Sequence, residues 1–265
     1  MEKVLEKRYA VKGIDFNCDL AQSFGIYKND SEFELLDYVS SANISCGFHA
    51  GDPVIIKNAI LKAKEKNIVI GAHIGYDDIQ GFGYRKMQLS EDELNALVIY
   101  QVGALMSFAK SFGLEIEYVR PHGAMYKQAA TDFTFACNII KAMKQCSKWL
   151  TYYGAAGDTT VKAAEFCEVN YAQEIFLNKT YNIDGTVDFD IDDNSNYDFN
   201  INRLKNYLYT GEIDNKEKGK TKITADTIHF SNTFENSADI IKDANLLIKP
   251  EPVNYLKVKS SGWTE

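Results

Sequence analysis

Short β-rich runs alternate with amphipathic runs along almost the whole chain, and this alternation restricts the fold more than any other feature. Strand-like stretches fall at about Gly13 to Leu20, Ser41 to Cys46, Ile68 to Ile74, Ile116 to Arg120, Trp149 to Tyr153, Val169 to Phe176 and Ile223 to Phe230. Helix signals separate them. Asp52 before Pro53 reads as an N-cap ahead of a first helical residue, and Ile56, Ala59, Ile60 and Ala63 make that helix's apolar stripe. Ser90-Glu91-Asp92-Glu93 reads as a capping box, followed by Leu94, Leu97, Val98, Val102, Leu105, Phe108 and Phe112 at helical spacing. Further helices are expected near 31–39, 132–145, 159–167, 201–209 and 238–248. Seven β-then-α units favour a parallel barrel or a doubly wound sheet. No linker divides the 265 residues, so one barrel domain over 1–265 is expected, with an irregular polar insertion around 177–200.

Composition excludes several function classes. A formal net charge of -8 is the wrong sign for a nucleic-acid surface. The stretch Met1 to Gly13 is charged and lacks the apolar core of a signal peptide. No apolar run approaches the ~18 residues a membrane span needs. Five cysteines, odd in number and widely spread, read as free thiols in a cytoplasmic protein. Gly219-Lys220-Thr221 looks like the end of a phosphate-binding loop, but no strand leads into it and the preceding glycine, Gly211, is misplaced. Nothing here separates a monomer from a homo-oligomer.

Position along the expected strands points to the chemistry. His49 follows the second strand, His73 ends the third and His122 follows the fourth, while Asp15, Asn17 and Asp19 lie in the first. The carboxyl ends of parallel strands form the active-site rim in such architectures. Three of the four histidines are therefore expected at one rim, each beside glycine, where backbone can approach a ligand closely.

The same residues carry a family resemblance. Asp15-Phe16-Asn17-Cys18-Asp19-Leu20, the block Ser41 to Pro53 containing Cys46-Gly47-Phe48-His49-Ala50-Gly51-Asp52, Gly71-Ala72-His73-Ile74-Gly75-Tyr76, Gly81-Phe82-Gly83-Tyr84-Arg85 and Arg120-Pro121-His122-Gly123-Ala124-Met125-Tyr126 resemble, in order, the blocks of the LamB/YcsF family. The likeness runs from about residue 14 to 250 and is strongest before residue 130. It implies a seven-stranded parallel (β/α) barrel of the glycoside hydrolase/deacetylase type. It also implies opening of the lactam of 5-oxo-L-proline to L-glutamate, with ATP entering through a complex with the B and C subunits of a 5-oxoprolinase. Gln22, Ile74, Tyr84, Arg120, Asn178 and Lys179 stand where the family pattern carries Glu, Pro, Arg, Lys, Asp and Arg. A late His-Gly-Asp block is absent, and Thr227-Ile228-His229-Phe230-Ser231-Asn232 holds a histidine out of register.

These readings assign roles. Asp19 or Asp15 orients or deprotonates water, while His49, His73 and His122 polarise the carbonyl or shuttle a proton, tuned toward neutrality by a neighbouring carboxylate. A divalent metal held by Asp19, His49, His73 and His122 is the alternative use of the set, although no short His-x-x-x-His pairing supports it. Arg85 and Arg120 are candidates to grip a substrate carboxylate through paired hydrogen bonds, or to form structural ion pairs. Asn17, Asn43, Tyr126 and Glu174 are substrate-binding candidates that can equally tie strands together or pack on the rim. Asp52 is a candidate whose simpler role is the helix cap. The competing functions are a metal-dependent deacetylase-like hydrolase of a carbohydrate or N-acyl compound, and a non-catalytic relative that binds a small ligand.

Overall fold

A strand turns successive side chains to opposite faces, so strands that close into a barrel must serve two environments at once. The computed structural model, which describes residues 10–11, 13–191, 194, 196–231 and 236–253, shows how this chain divides them. In β1 (Asp15–Leu20), Phe16, Cys18 and Leu20 pack outward into the apolar core, while Asp15, Asn17 and Asp19 make their hydrogen bonds inside the barrel. In β2 (Ser41–Ser45), Ala42 and Ile44 join that core and Ser41 and Asn43 bond to the β1 carboxylates.

The remaining units follow in order. They are α1 (Pro53–Glu65), β3 (Val69–Ile74), α2 (Glu91–Ser111), β4 (Ile116–Pro121), α3 (Gly123–Thr131), α4 (Phe133–Cys146), β5 (Thr151–Ala155), α5 (Asp158–Cys167) and β6 (Tyr171–Phe176). Then come β7 (Thr180–Tyr181), β8 (Val187–Asp188), α6 (Tyr197–Thr210), β9 (Glu212–Asp214), β10 (Lys220–Lys222), β11 (Thr227–Phe230) and α7 (Ser237–Leu247). Seven strands form a closed barrel in the order β1-β11-β6-β5-β4-β3-β2, every pair parallel. The expected seven-stranded parallel barrel is thus present.

Local chemistry explains the elements. The Asp52 side chain accepts from the backbone N–H groups of Val54 and Ile55, and the stripe Ile56, Ala59, Ile60 and Ala63 is buried. Ser90 and Glu93 complete the capping box of α2. Inside the barrel, a separate cluster of Tyr118, Tyr153 and Ala172 fills the end nearest the strand starts, the two rings stacked 4.0 Å apart. Gly71 makes this possible, because a Cβ there would lie 2.2 Å from the Tyr118 ring.

Several expectations are corrected. The fifth strand begins at Thr151, after an exposed Trp149, since the barrel needs Thr151 and Tyr153 facing its interior. Residues 123–131 form α3, a short helix whose apolar spacing is too brief to read in sequence. The 177–200 insertion contains the β7–β8 hairpin and the start of α6, and the charged stretch after Gly211 is the β9–β10 hairpin. Gly219-Lys220-Thr221 belongs to that hairpin, which confirms that it is no phosphate loop. The 31–39 helix is a 3-10 helix over Asp30–Asp37. Residues 1–9, 12, 192–193, 195, 232–235 and 254–265 of the expected domain lie outside the described residues.

Candidate active site

Strand polarity assembles the site. Asp19 lies at the end of β1, His73 in β3, Arg120 in β4, Glu174 in β6 and His229 in β11, while His122 follows β4 directly and His49 lies in the loop after β2. All seven are buried. His229 is not among the site residues that the sequence motifs point to. Its register opposite Asn17, two residues after Thr227 opposite Asp15, is the strand alternation that could have placed it inside the barrel.

Asp19 is the hub. Its Oδ1 lies 3.3 Å from His73 Nε2 and 3.4 Å from Arg120 Nη1, and accepts from Asn43 Nδ2 at 2.9 Å. His229 Nε2 stands 3.7 Å from its other oxygen. Burial alone would raise the Asp19 carboxyl, but His73, His229 and Arg120 outweigh it and hold the group well below the usual range. Glu174 is a second buried carboxylate. Arg120 donates to it through Nε (2.9 Å) and Nη2 (2.8 Å), Tyr126 Oη at 2.8 Å and Asn17 Nδ2 at 2.9 Å. Despite burial, this network lowers its pKa, Arg120 contributing most.

The three rim histidines do meet. One nitrogen of each lies within 4.8 Å of the others, close enough in principle to hold a metal ion. Each ring also spends a nitrogen on an oxygen: His49 Nε2 on Ser45 Oγ (3.1 Å), His73 Nδ1 on the Arg120 carbonyl (3.1 Å) and His122 Nε2 on the Phe82 carbonyl (2.7 Å). Such outer bonds commonly orient ligating imidazoles. The rings themselves argue otherwise. His49 and His122 stack with centroids 4.1 Å apart and planes 14° from parallel. Lone pairs lie in the ring plane, so two stacked rings aim theirs side by side and cannot converge on one ion ~2 Å from each nitrogen. A three-imidazole metal centre does not fit this arrangement.

The pair His73–His122 is instead placed to relay a proton. His122 Nδ1 lies 3.0 Å from His73 Nε2. Both rings face carbonyls with their other nitrogen, and a carbonyl only accepts, so those nitrogens carry hydrogen. Two neutral rings would then oppose lone pair to lone pair. Arg120 Nη1, 3.4 Å from His73 Nε2, donates toward this gap, and a proton arriving there during reaction would be hydrogen-bonded between the rings with Asp19 beside it as counter-charge. The expected tuning toward neutrality is corrected for His49 and His122, and His229 behaves like them. Burial pushes His49 well down, His122 to about 3 and His229 to about 4, reinforced by neighbouring cationic groups.

A solvent-open cavity of about 100 Å³ reaches this network. Asp19, Arg120, His122, Tyr126 and His229 form its buried inner surface, Phe82, Phe176 and Phe189 its apolar walls, and Gln22, Lys127 and Lys179 part of its mouth. His49 and His73 stand behind His122 and Asp19 rather than on the cavity surface.

The other expected site residues lie elsewhere. Asp15 sits toward the strand starts, bonded to Ser40, Ser41 and Thr227, away from the histidines. Asn17 and Asn43 bridge from it to Asp19 and Glu174 inside the barrel, spending their amides on protein. Asp52 caps α1 and also accepts from Gly25 N, outside the cavity. Arg85 is exposed and its guanidinium is held by Asp78, so it does not face the cavity. Arg120 lines the cavity, but its paired hydrogen bonds go to Glu174. Burial pushes the Cys46 thiol up to about 12, which removes it as a nucleophile at neutral pH.

A closed parallel barrel with carboxylates, imidazoles and an arginine gathered where its strands end is the architecture of a barrel hydrolase. The chain belongs to the LamB/YcsF family, whose model matches residues 14–260. It is 40% identical over 219 residues to the 5-oxoprolinase A subunit of Bacillus mycoides (strain KBAB4), covering 81% of this chain and 86% of that one. It is 37% identical over 233 residues to the protein of the same name from Bacillus thuringiensis subsp. konkukian (strain 97-27), covering 86% and 92%. A lactam utilization protein from Thermus thermophilus superposes with a TM-score of 0.84 at 30% identity, covering 91% of this chain and 99% of that one. Of the six positions expected from the resemblance to differ from the family pattern, Gln22, Tyr84, Arg120, Asn178 and Lys179 line the cavity and Ile74 does not.

Proposed function

We propose that this chain is the lactam-opening component of a 5-oxoprolinase, hydrolysing 5-oxo-L-proline to L-glutamate in a cytoplasmic complex with B and C subunits that bring in ATP. The observation that carries the reading is the junction of Asp19, His73 and His122 behind one cavity, in a chain so similar to proteins named as the A subunit of 5-oxoprolinase. Five free thiols support a reducing compartment, and among the described residues no helix is long and apolar enough to cross a membrane.

In this reading a water oxygen bonds to the lactam carbonyl carbon, the C–N bond breaks and the ring nitrogen takes a proton. Asp19, held as a carboxylate, orients the water. The His73–His122 pair takes a proton from the attacking water and passes it to the departing nitrogen. His49 acts behind them, stacked on His122 so that the ring cannot turn. Arg120 presents a fixed positive charge to the developing oxyanion, with Glu174 and Tyr126 holding it in place. ATP, bound by the assembly, supplies the driving force for opening a stable amide.

The test is glutamate release by the chain reconstituted with its partner subunits, ATP and 5-oxoproline. Active wild type is expected, with His122→Gln lowering kcat at least about 100-fold while the melting transition persists. No turnover by the complete wild-type assembly would sink the reading. The second reading, a metal-dependent deacetylase-like hydrolase, has the closeness of the three histidine nitrogens for it and the stacking of His49 on His122 against it. Activity that survives exhaustive chelation excludes it. Any 5-oxoproline turnover that depends on His122 excludes a purely ligand-binding relative.

A further inference from the structure

The two arginines expected to hold a substrate carboxylate are already engaged, Arg85 by Asp78 and Arg120 by Glu174. The cavity carries two further cations. Lys127 lies in α3, five residues beyond His122, and donates from Nζ to the Phe189 carbonyl at 3.3 Å near the surface. Lys179 follows β6 and is half-buried on the same cavity.

Their position matters because the inner surface is unsuited to an anion. Asp19 faces it directly and Glu174 stands behind Arg120, so a carboxylate pushed to that depth would meet like charge. The mouth has the opposite character. Between the two, Phe82, Phe176 and Phe189 offer apolar walls that suit ring methylenes. A cyclic amide bearing a carboxylate has one anionic edge, an apolar ring and one amide edge. The cavity lining presents all three kinds of surface.

We propose that Lys127 and Lys179 are specificity-determining residues that bind the substrate's carboxylate at the mouth and thereby aim its lactam carbonyl at Asp19 and His122. This rests on the lactam-opening reading above. Lys127 is exposed and Lys179 half-buried, so replacing them leaves the buried proton-transfer groups in place.

The experiment compares Lys127→Met, Lys179→Met and the double variant in the complete assembly, using 5-oxoproline as substrate and 2-pyrrolidinone, the same ring without the carboxylate, as a competing ligand. Each single change is expected to raise KM for 5-oxoproline about 10-fold and the pair by more, with kcat within about two-fold. The inhibition constant for 2-pyrrolidinone stays where it was, and Lys→Arg at either position restores KM. An unmoved KM in the double variant, with active wild type, overturns this inference and leaves the lactam-opening reading standing. So does an equal loss of affinity for both compounds, which marks general damage to the cavity. A wild-type assembly without turnover defeats the lactam-opening reading and this one with it.

Discussion

At the scale of single residues, the barrel interior sets buried carboxylates against one another by environment alone. Asp19 and Glu174 have a guanidinium beside them and are held as anions. Asp15 has only hydroxyls close by, and burial pushes its carboxyl up from 3.8 to about 6 against the hydrogen bonds of Ser40, Thr227 and Ser41. The folded state therefore binds the Asp15 proton more tightly than the unfolded chain. Its contribution to stability is complete below about pH 4 and lost as pH rises through about 6, a difference of about 3 kcal/mol. The depressed imidazoles of His49, His122 and His229 act in the opposite direction, since each must gain a proton on unfolding as pH falls below 6.5. Asp15→Asn separates the two effects. Hydroxyls can rotate to accept from the new amide, so the variant is expected to match or exceed wild-type stability at pH 7.5. The gain should shrink toward zero as pH approaches 4. Urea unfolding at pH 4.5, 5.5 and 7.5 reads this directly, and a difference independent of pH would contradict the assignment of Asp15 as the titrating group.

At the scale of elements, what could be read in sequence was what short-range chemistry dictates. Asp52-Pro53 and Ser90 to Glu93 fixed two helix starts because caps are local, and the stripe of α1 was visible because its period is. The start of β5 could not be read, because Trp149 and Leu150 are as strand-like as Thr151 and only the barrel interior decides between them. The loop after β3 shows how an element positions the site. Gly83 has φ of +72°, and a Cβ there would fall 2.7 Å from His122 Cδ2 and 2.9 Å from His49 Cβ. Gly83→Ala is thus expected to damage the site twice, by left-handed strain and by displacing the stacked imidazoles. Stability should fall by about 1–3 kcal/mol and kcat by at least about 10-fold. Asp52→Ala provides the contrast. It removes the bonds to Val54 and Ile55 and should cost about 1 kcal/mol, with kcat unchanged because the cap lies outside the cavity. Thermal melts paired with turnover in the assembly distinguish them, and equal kcat losses would show that Gly83 has no special hold on the histidines.

At the scale of the whole molecule, seven β-then-α units did not reveal that the sheet closes. A doubly wound sheet has the same local pattern, and closure depends on β1 pairing with β11, Asp15 against Thr227, across most of the chain. Closure is also what turns the alternating Asp15, Asn17 and Asp19 into one interior network, which is why His229 could be seen in sequence but not placed. The closed barrel limits what the chain can do alone. The interior is occupied by its own side chains, the described cavity ends on an inner surface with Asp19, and the lysine-bearing hairpin of β9 and β10 is no phosphate loop. With Gly219-Lys220-Thr221 taken up in that hairpin, ATP is expected to enter through the partner subunits. The purified chain is accordingly expected to fold with one cooperative transition, to hydrolyse no ATP and to release no glutamate from 5-oxoproline. Adding the partner subunits should yield a co-migrating assembly on size exclusion, with ATP consumption and glutamate release appearing together. ATP hydrolysis by the chain alone would mean that coupling resides in this barrel, and the division of labour drawn from its interior would have to be abandoned.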